Sequence, residues 1–167
     1  MTLDLSKMSI LLVEDNPHMT HLLRGILKAF GIDQIEQAPD GGQALEILRK
    51  QPVDVAIVDW MMKPVDGIEF VRGIRRAEDS PSPHLPIIML TGHTERHRVE
   101  EARDAGVSEF LAKPVTPKSL YDRLVAIIER PRPFVRGPDF IGPDRRRRRS
   151  DGYAGYERRG TQDMIDI

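Results

Sequence analysis

Short apolar runs alternate along this chain with segments whose apolar residues recur every three or four positions. MSILLV (8–13), VDVAIV (53–58), LPIIMLT (85–91) and SEFLA (108–112) are the runs. Nearly continuous apolar stretches of strand length predict strands covered on both faces. IDQIEQA (32–38) is more polar and predicts a strand at a sheet edge. Between the runs, Leu22, Leu23, Ile26, Leu27 and Phe30 have helical spacing. That helix opens at Asn16-Pro17, a side-chain cap followed by a residue whose missing N–H costs nothing there, and stops at Gly31. Asp40-Gly41 opens a second helix carrying Ala44, Leu45, Ile47 and Leu48, and further helices are predicted over 66–77, 95–105 and 117–129. Five strands alternating with five helices predict a doubly wound α/β fold on a parallel sheet with right-handed crossovers. In such sheets ligands sit beyond the carboxyl ends of the strands.

Past Arg130 the pattern dissolves. Residues 131–167 are rich in Pro, Gly and Arg with no apolar period, which predicts an extended or disordered tail after a 1–130 domain. Charge divides the same way. Residues 1–130 carry 16 Lys+Arg against 20 Asp+Glu, whereas residues 131–150 carry seven Arg against two Asp. A small acidic domain with a basic arm is the result. The absence of cysteine excludes disulfides, thiolate metal sites and cysteine nucleophiles. No apolar run approaches the roughly 18 residues of a membrane span, and the N-terminus lacks the pattern of a secretory signal, so a cytoplasmic protein without membrane insertion is expected.

The candidate chemistry falls at strand ends: Glu14-Asp15, Asp59, Thr91 and Lys113-Pro114. Any one of these alone reads as a solvated loop residue. Three carboxylates converging at one end of a sheet repel each other unless something neutralises them, and oxygen-only ligation favours magnesium. A nearby lysine and a threonine hydroxyl suit a transferring phosphoryl group.

The set VEDN (13–16), VDWMMKPVDG (58–67), MLTGH (89–93) and FLAKP (110–114) resembles the receiver family of bacterial response regulators, CheY-like proteins with a flavodoxin-like sheet of order 2-1-3-4-5. The resemblance spans residues 8–130. It implies that Asp59 is the phospho-acceptor, charged from a phosphohistidine donor on a histidine kinase or phosphotransfer protein. It also implies that Asp15 and Asp59 ligate Mg2+ directly, Glu14 does so through water, and the Met61 backbone carbonyl completes the protein's share. Lys113 would pair with the phosphoryl oxygens across a cis Lys113-Pro114 bond, Thr91 would move toward the phosphoryl group, and Phe110 would rotate inward. Three positions depart from the family pattern. Lys63 stands where a proline is usual, with Pro64 one place later; Met61 replaces a commonly polar side chain; and Phe110 has no hydroxyl. The histidines are weaker signals: His93 and His97, like His18 and His21, read as members of solvated helix faces.

The tail carries Arg132, Arg136, Asp139, Asp144 and the run Arg145, Arg146, Arg147, Arg148, Arg149. Arginine forks pair with phosphates and with the guanine O6/N7 edge and stack on rings, while Asp accepts from the guanine N–H edge. Two guanines and two phosphates in one small ligand would match this set, which points to cyclic di-GMP bound by segment 131–149. A solvated basic tail, or nonspecific nucleic-acid or anionic-membrane contact, is the competing reading. RPRPFVRGPDFIGPDRRRR (130–148) resembles the extension of the Cle group of CheY-like regulators. That resemblance implies cyclic di-GMP binding and an output at the flagellar motor switch protein or a histidine kinase. DNA binding and multiple-turnover enzyme chemistry are not expected, and a plain phosphorelay shuttle is the alternative function.

Overall fold

A computed structural model describes residues 3–92, 96–145 and 163–165 of the chain. Strands β1 (Ser9–Val13), β2 (Gln34–Ala38), β3 (Val55–Asp59), β4 (Ile87–Thr91) and β5 (Glu109–Ala112) form one parallel sheet. Its order is β2-β1-β3-β4-β5. Helices α1 (Pro17–Ala29), α2 (Gly41–Lys50), α3 (Gly67–Arg76), α4 (Arg96–Ala105) and α5 (Pro117–Glu129) connect the strands. This is the doubly wound α/β fold that the alternation predicts.

The period-two geometry of the strands explains why the inner ones had to be continuously apolar. Along β1, Ile10 and Leu12 face a core shared with Leu23 and Leu27 of α1 and Leu120 and Leu124 of α5. Leu11 and Val13 face a second core with Ala44 of α2, Ile68, Phe70 and Val71 of α3, and Ala102 of α4. β3 and β4 divide the same way: Val55, Ile57, Ile88 and Leu90 face one core, Ala56, Val58, Ile87 and Met89 the other. β2 buries only Ala38 fully, as an edge strand should.

Helix starts are fixed by side-chain oxygens that satisfy free amides. Asn16 accepts from the His18 amide at 2.9 Å, Asp40 from Gln43 at 2.9 Å and Asp66 from Glu69 at 2.8 Å. Thr116 and Ser119 form a reciprocal capping box ahead of α5. Each such cap contributes about 1 kcal/mol. Among the described residues no helix is long and apolar enough to cross a membrane.

The segment after residue 130, expected to be extended or disordered, begins with a hairpin of two short extended strands. β6 (Phe134–Arg136) and β7 (Ile141–Pro143) pair antiparallel, Phe134 opposite Pro143 and Arg136 opposite Ile141, and the backbone of β8 (Asp163–Ile165) pairs with the other edge of β6. The turn between β6 and β7 closes with the Gly137 amide donating to the Phe140 carbonyl at 2.7 Å. Phe134, Val135 and Phe140 are buried. Phe134 packs on Arg75, the last-turn residue of α3, which is itself only 2% exposed. Its three guanidinium nitrogens donate to the carbonyls of Gly106, Pro83 and Leu85 at 3.1, 2.9 and 2.6 Å. The guanidinium lies 4.8 Å from the Phe134 ring centroid, and burial pulls its pKa down to about 9, so it stays charged at neutral pH. Two glycines complete the fit. Gly106 has φ +107°, and a Cβ there would meet the Ile141 carbonyl and Arg75 Cγ at 2.9 Å. A Cβ on Gly142 would lie 2.8 Å from the Gly106 Cα. The hairpin therefore rests backbone on backbone against the α4–β5 junction.

Candidate phosphoryl-accepting site

The carboxyl ends of β1, β3, β4 and β5 bring Glu14, Asp15, Asp59, Thr91 and Lys113 to one rim of the sheet. Register does this: Val13 pairs with Val58, Asp59 with Leu90 and Thr91 with Ala112, so the next residues of each strand emerge side by side. The Lys113 amide donates to the Thr91 carbonyl at 2.9 Å, and the Trp60 amide to Leu90 at 3.1 Å, which extends the ladder into the site. Carboxylate oxygens of Glu14, Asp15 and Asp59 lie within 4.8 Å of one another. Glu14, Asp59 and Thr91 are buried and Asp15 is exposed, so the group opens to solvent on one side.

Lys113 Nζ sits 2.9 Å from Asp59 Oδ1 and 3.9 Å from Glu14 Oε2. One ammonium therefore faces two buried carboxylates. Burial, opposed by the Asn16 amide and reinforced by the Asp59 charge, pushes the Glu14 carboxyl up to about 7. Glu14 Oε2 is buried without a hydrogen-bond partner. An orphaned carboxylate oxygen beside two further carboxylates fits a divalent hard cation, and the all-oxygen donor set suits magnesium. Glu14, Asp15 and Asp59 are the side chains that would hold it.

Gly67, at the start of α3, is required by this geometry. A Cβ there would stand 2.4 Å from the Asp59 carbonyl, and its amide donates to the Trp60 carbonyl at 3.0 Å. The backbone of α3 thus closes directly under Asp59. Met61 follows Asp59 by two residues and is 62% exposed at the rim. Phe110 is half-buried against the core behind β4. Lys113-Pro114 is cis, and so is Lys63-Pro64, in the loop where the proline is displaced by one place. His18 and His21 are exposed on α1, while His93 and the side chain of His97 lie outside the described residues.

The tail residues are distributed differently from those of the carboxylate group. Arg132 donates to the carbonyls of Ser108 and Asp144, so it ties the two ends of the hairpin to the start of β5. Arg136 and Asp139 are exposed, and the Asp139 carbonyl accepts from Arg76 at 3.3 Å. Arg145 pairs with Asp104 of α4 at 2.8 Å and lies 4.5 Å from the Phe140 ring centroid. Arg146, Arg147, Arg148 and Arg149 lie outside the described residues. Arg132, Arg136 and Arg145 are thus not gathered at one point. Sequence reasoning misses Arg75, which looks like an ordinary basic residue in a last helical turn. Its spacing from Ile68 and Val71 does place it on the apolar stripe of α3, and that is the available signal.

Three comparisons agree on what this geometry is similar to. The model of the response regulator receiver domain matches residues 10–125. Chemotaxis protein CheY-3 of Vibrio cholerae is 35% identical over 123 residues, covering 74% of this chain and 93% of that protein. Chemotaxis protein CheY of Pseudomonas aeruginosa is 33% identical, covering 74% of this chain and 98% of that one. Among solved structures, a receiver domain of the sensor histidine kinase PA1611 from Pseudomonas aeruginosa, with a magnesium ion in its active-site cleft, superposes with a TM-score of 0.65 at 31% identity, over 73% of this chain and 98% of that one.

Proposed function

The chain belongs to the response regulator receiver family, and from that premise we propose that it is a CheY-like switch phosphorylated on Asp59 that also binds cyclic di-GMP through its arginine-rich tail. The observation that carries the first half is Lys113 Nζ at 2.9 Å from Asp59 Oδ1, inside a group of three carboxylates. Asp59 attacks the phosphorus of a phosphohistidine on a histidine kinase or phosphotransfer protein. The P–N bond breaks as the acyl phosphate forms, and the imidazole leaves. Lys113 balances charge on the phosphoryl oxygens, and the Thr91 hydroxyl, buried at the end of β4, donates to one of them. Magnesium, when bound, supplies Lewis-acid neutralisation of the phosphoryl charge.

The second half is supported by the residue types of the tail, with guanidiniums for phosphate and guanine and carboxylates for the guanine N–H edge. Output is then contact of the switched surface with a partner, such as a flagellar motor switch protein or a histidine kinase.

Two measurements test the reading. With a small-molecule phosphodonor and magnesium, the wild-type chain gains one acid-labile phosphoryl group, and Asp59→Asn gains none. Labelling of Asp59→Asn at the wild-type level would overturn the assignment. Titration of the full chain with cyclic di-GMP gives saturable binding that survives raised salt better than binding to a generic polyanion. No saturable binding leaves the plain phosphorelay shuttle as the reading.

A further inference from the structure

A pocket of about 370 Å³ lies between α3, α4 and the tail hairpin, lined by Arg72, Arg76, Asp104, Asp139, Phe140 and Arg145. Its lining is distinctive: three guanidiniums, two carboxylates and one ring, with no aliphatic side chain. We propose that this pocket is a guanine-nucleotide site in which the receiver body itself, through Arg72 and Arg76 of α3, supplies the phosphate contacts. The inference rests on the cyclic di-GMP reading above and moves part of that site from the tail onto the domain.

The pair of arginines on α3 is the feature that suits an anion. Arg72 and Arg76 stand four residues apart on α3, so their like charges share one face of the helix and repel. Arg72 meets Glu101 of α4 at 3.5 Å, an exposed pair of little strength, and Arg76 reaches the neutral carbonyl of Asp139 at 3.3 Å. Arg145 adds a third guanidinium. A phosphate diester at the α3 pair would relieve the repulsion and accept from planar forks, which is the geometry arginine provides and lysine does not.

The remaining groups argue for guanine rather than any phosphate. Arg145 lies 4.5 Å from the centroid of the buried Phe140 ring, so a cation–ring contact forms part of the pocket wall. Asp104 and Asp139 are the lining residues whose carboxylates could take the paired N1–H and N2–H donors of guanine, which adenine lacks, Asp104 on exchange of its contact with Arg145. The volume falls in the range of about 300–1,000 Å³ typical of small-molecule sites. The Arg145–Asp104 contact at 2.8 Å is exposed, so its exchange for ligand contacts costs little.

The test is calorimetric titration of the full chain with cyclic di-GMP, cyclic di-AMP and pyrophosphate, on wild type and on an Arg72→Ala/Arg76→Ala variant. Both positions are exposed on α3, and unchanged phosphorylation of Asp59 checks that the fold is intact. The expected result is wild-type binding of cyclic di-GMP well ahead of cyclic di-AMP, weakened about tenfold or more in the variant, with partial recovery in Arg72→Lys/Arg76→Lys. Wild-type affinity in the variant would overturn the inference and leave the tail alone as the binding element. Equal binding of cyclic di-AMP and pyrophosphate would overturn the guanine assignment. Failure of the wild type to bind cyclic di-GMP would overturn the reading on which the inference rests.

Discussion

Glu14 sits in surroundings unlike those of a free carboxylate, buried beside Asp59 and Lys113 in the phosphoryl site. Its folded pKa of about 7 stands above the ordinary value of 4.5, chiefly because burial disfavours the charged form. The group therefore binds more protons in the folded than in the unfolded chain between those two values. Its stabilising contribution is complete below pH 4.5 and is lost as pH rises through about 7. Thermal melts of the metal-free chain and of Glu14→Gln should accordingly coincide near pH 4.5 and diverge by about pH 8, with Glu14→Gln the more stable. Added magnesium should reverse that order at the alkaline end, because only the wild type offers the third carboxylate. Identical melting profiles across the range would show that Glu14 feels no such burial. At this scale the sequence is informative where chemistry sits at a strand end, as for Asp59 and Lys113. It is silent about Arg75, because a helical stripe identifies a buried position but not the carbonyls that make an arginine tolerable there.

Among the elements, the sheet and its helices are legible because each strand is long enough to show an apolar run and each helix long enough to show a period. The β6–β7 hairpin is not, since strands of three residues show neither. Phe134, Val135 and Phe140 look like scattered apolar residues in a polar tail, and the partner of Phe134 is Arg75, some sixty residues earlier in the chain. The hairpin's seat can be tested through the glycine contact. Gly142→Ala places a methyl 2.8 Å from the Gly106 Cα and 2.9 Å from Phe140 Cζ, and something must shift. Trypsin should then cut after Arg136, which precedes Gly137, markedly faster than in wild type. Gly25→Ala, with nothing within 4 Å of the added atom, should leave that rate unchanged and stabilise α1 by about 0.5–1 kcal/mol. Equal cleavage of Gly142→Ala and wild type would mean that the hairpin is not held by this contact.

In the whole molecule, the phosphoryl site and the β6–β7 hairpin lie toward opposite ends of the same strands. Thr91 and Lys113 stand at the carboxyl ends of β4 and β5, while Leu85, Gly106 and Ser108, which hold Arg75 and Arg132, stand at their amino ends. α4 runs between, from Arg96 near the first site to Asp104 at the second. Two ligands that bias one element must affect each other's affinity equally. A phosphoryl mimic on Asp59 should change cyclic di-GMP affinity by about fivefold or more, and saturating nucleotide should change affinity for the mimic by the same factor. Paired titrations check this, and a factor of one in both directions would mean that the two inputs act independently.

The shared coat of Arg75 bears on how such experiments can be controlled. Backbone carbonyls of the domain cover its edges, but the ring over its face is Phe134, which belongs to the tail. A chain cut after residue 130, where the motifs alone would put the boundary, uncovers a buried cation and the apolar seat around it. Such a fragment is an altered domain rather than the same domain minus an appendage, and its stickiness would be mistaken for signalling. Substituting arginines in the intact chain is the subtraction that leaves everything else in place.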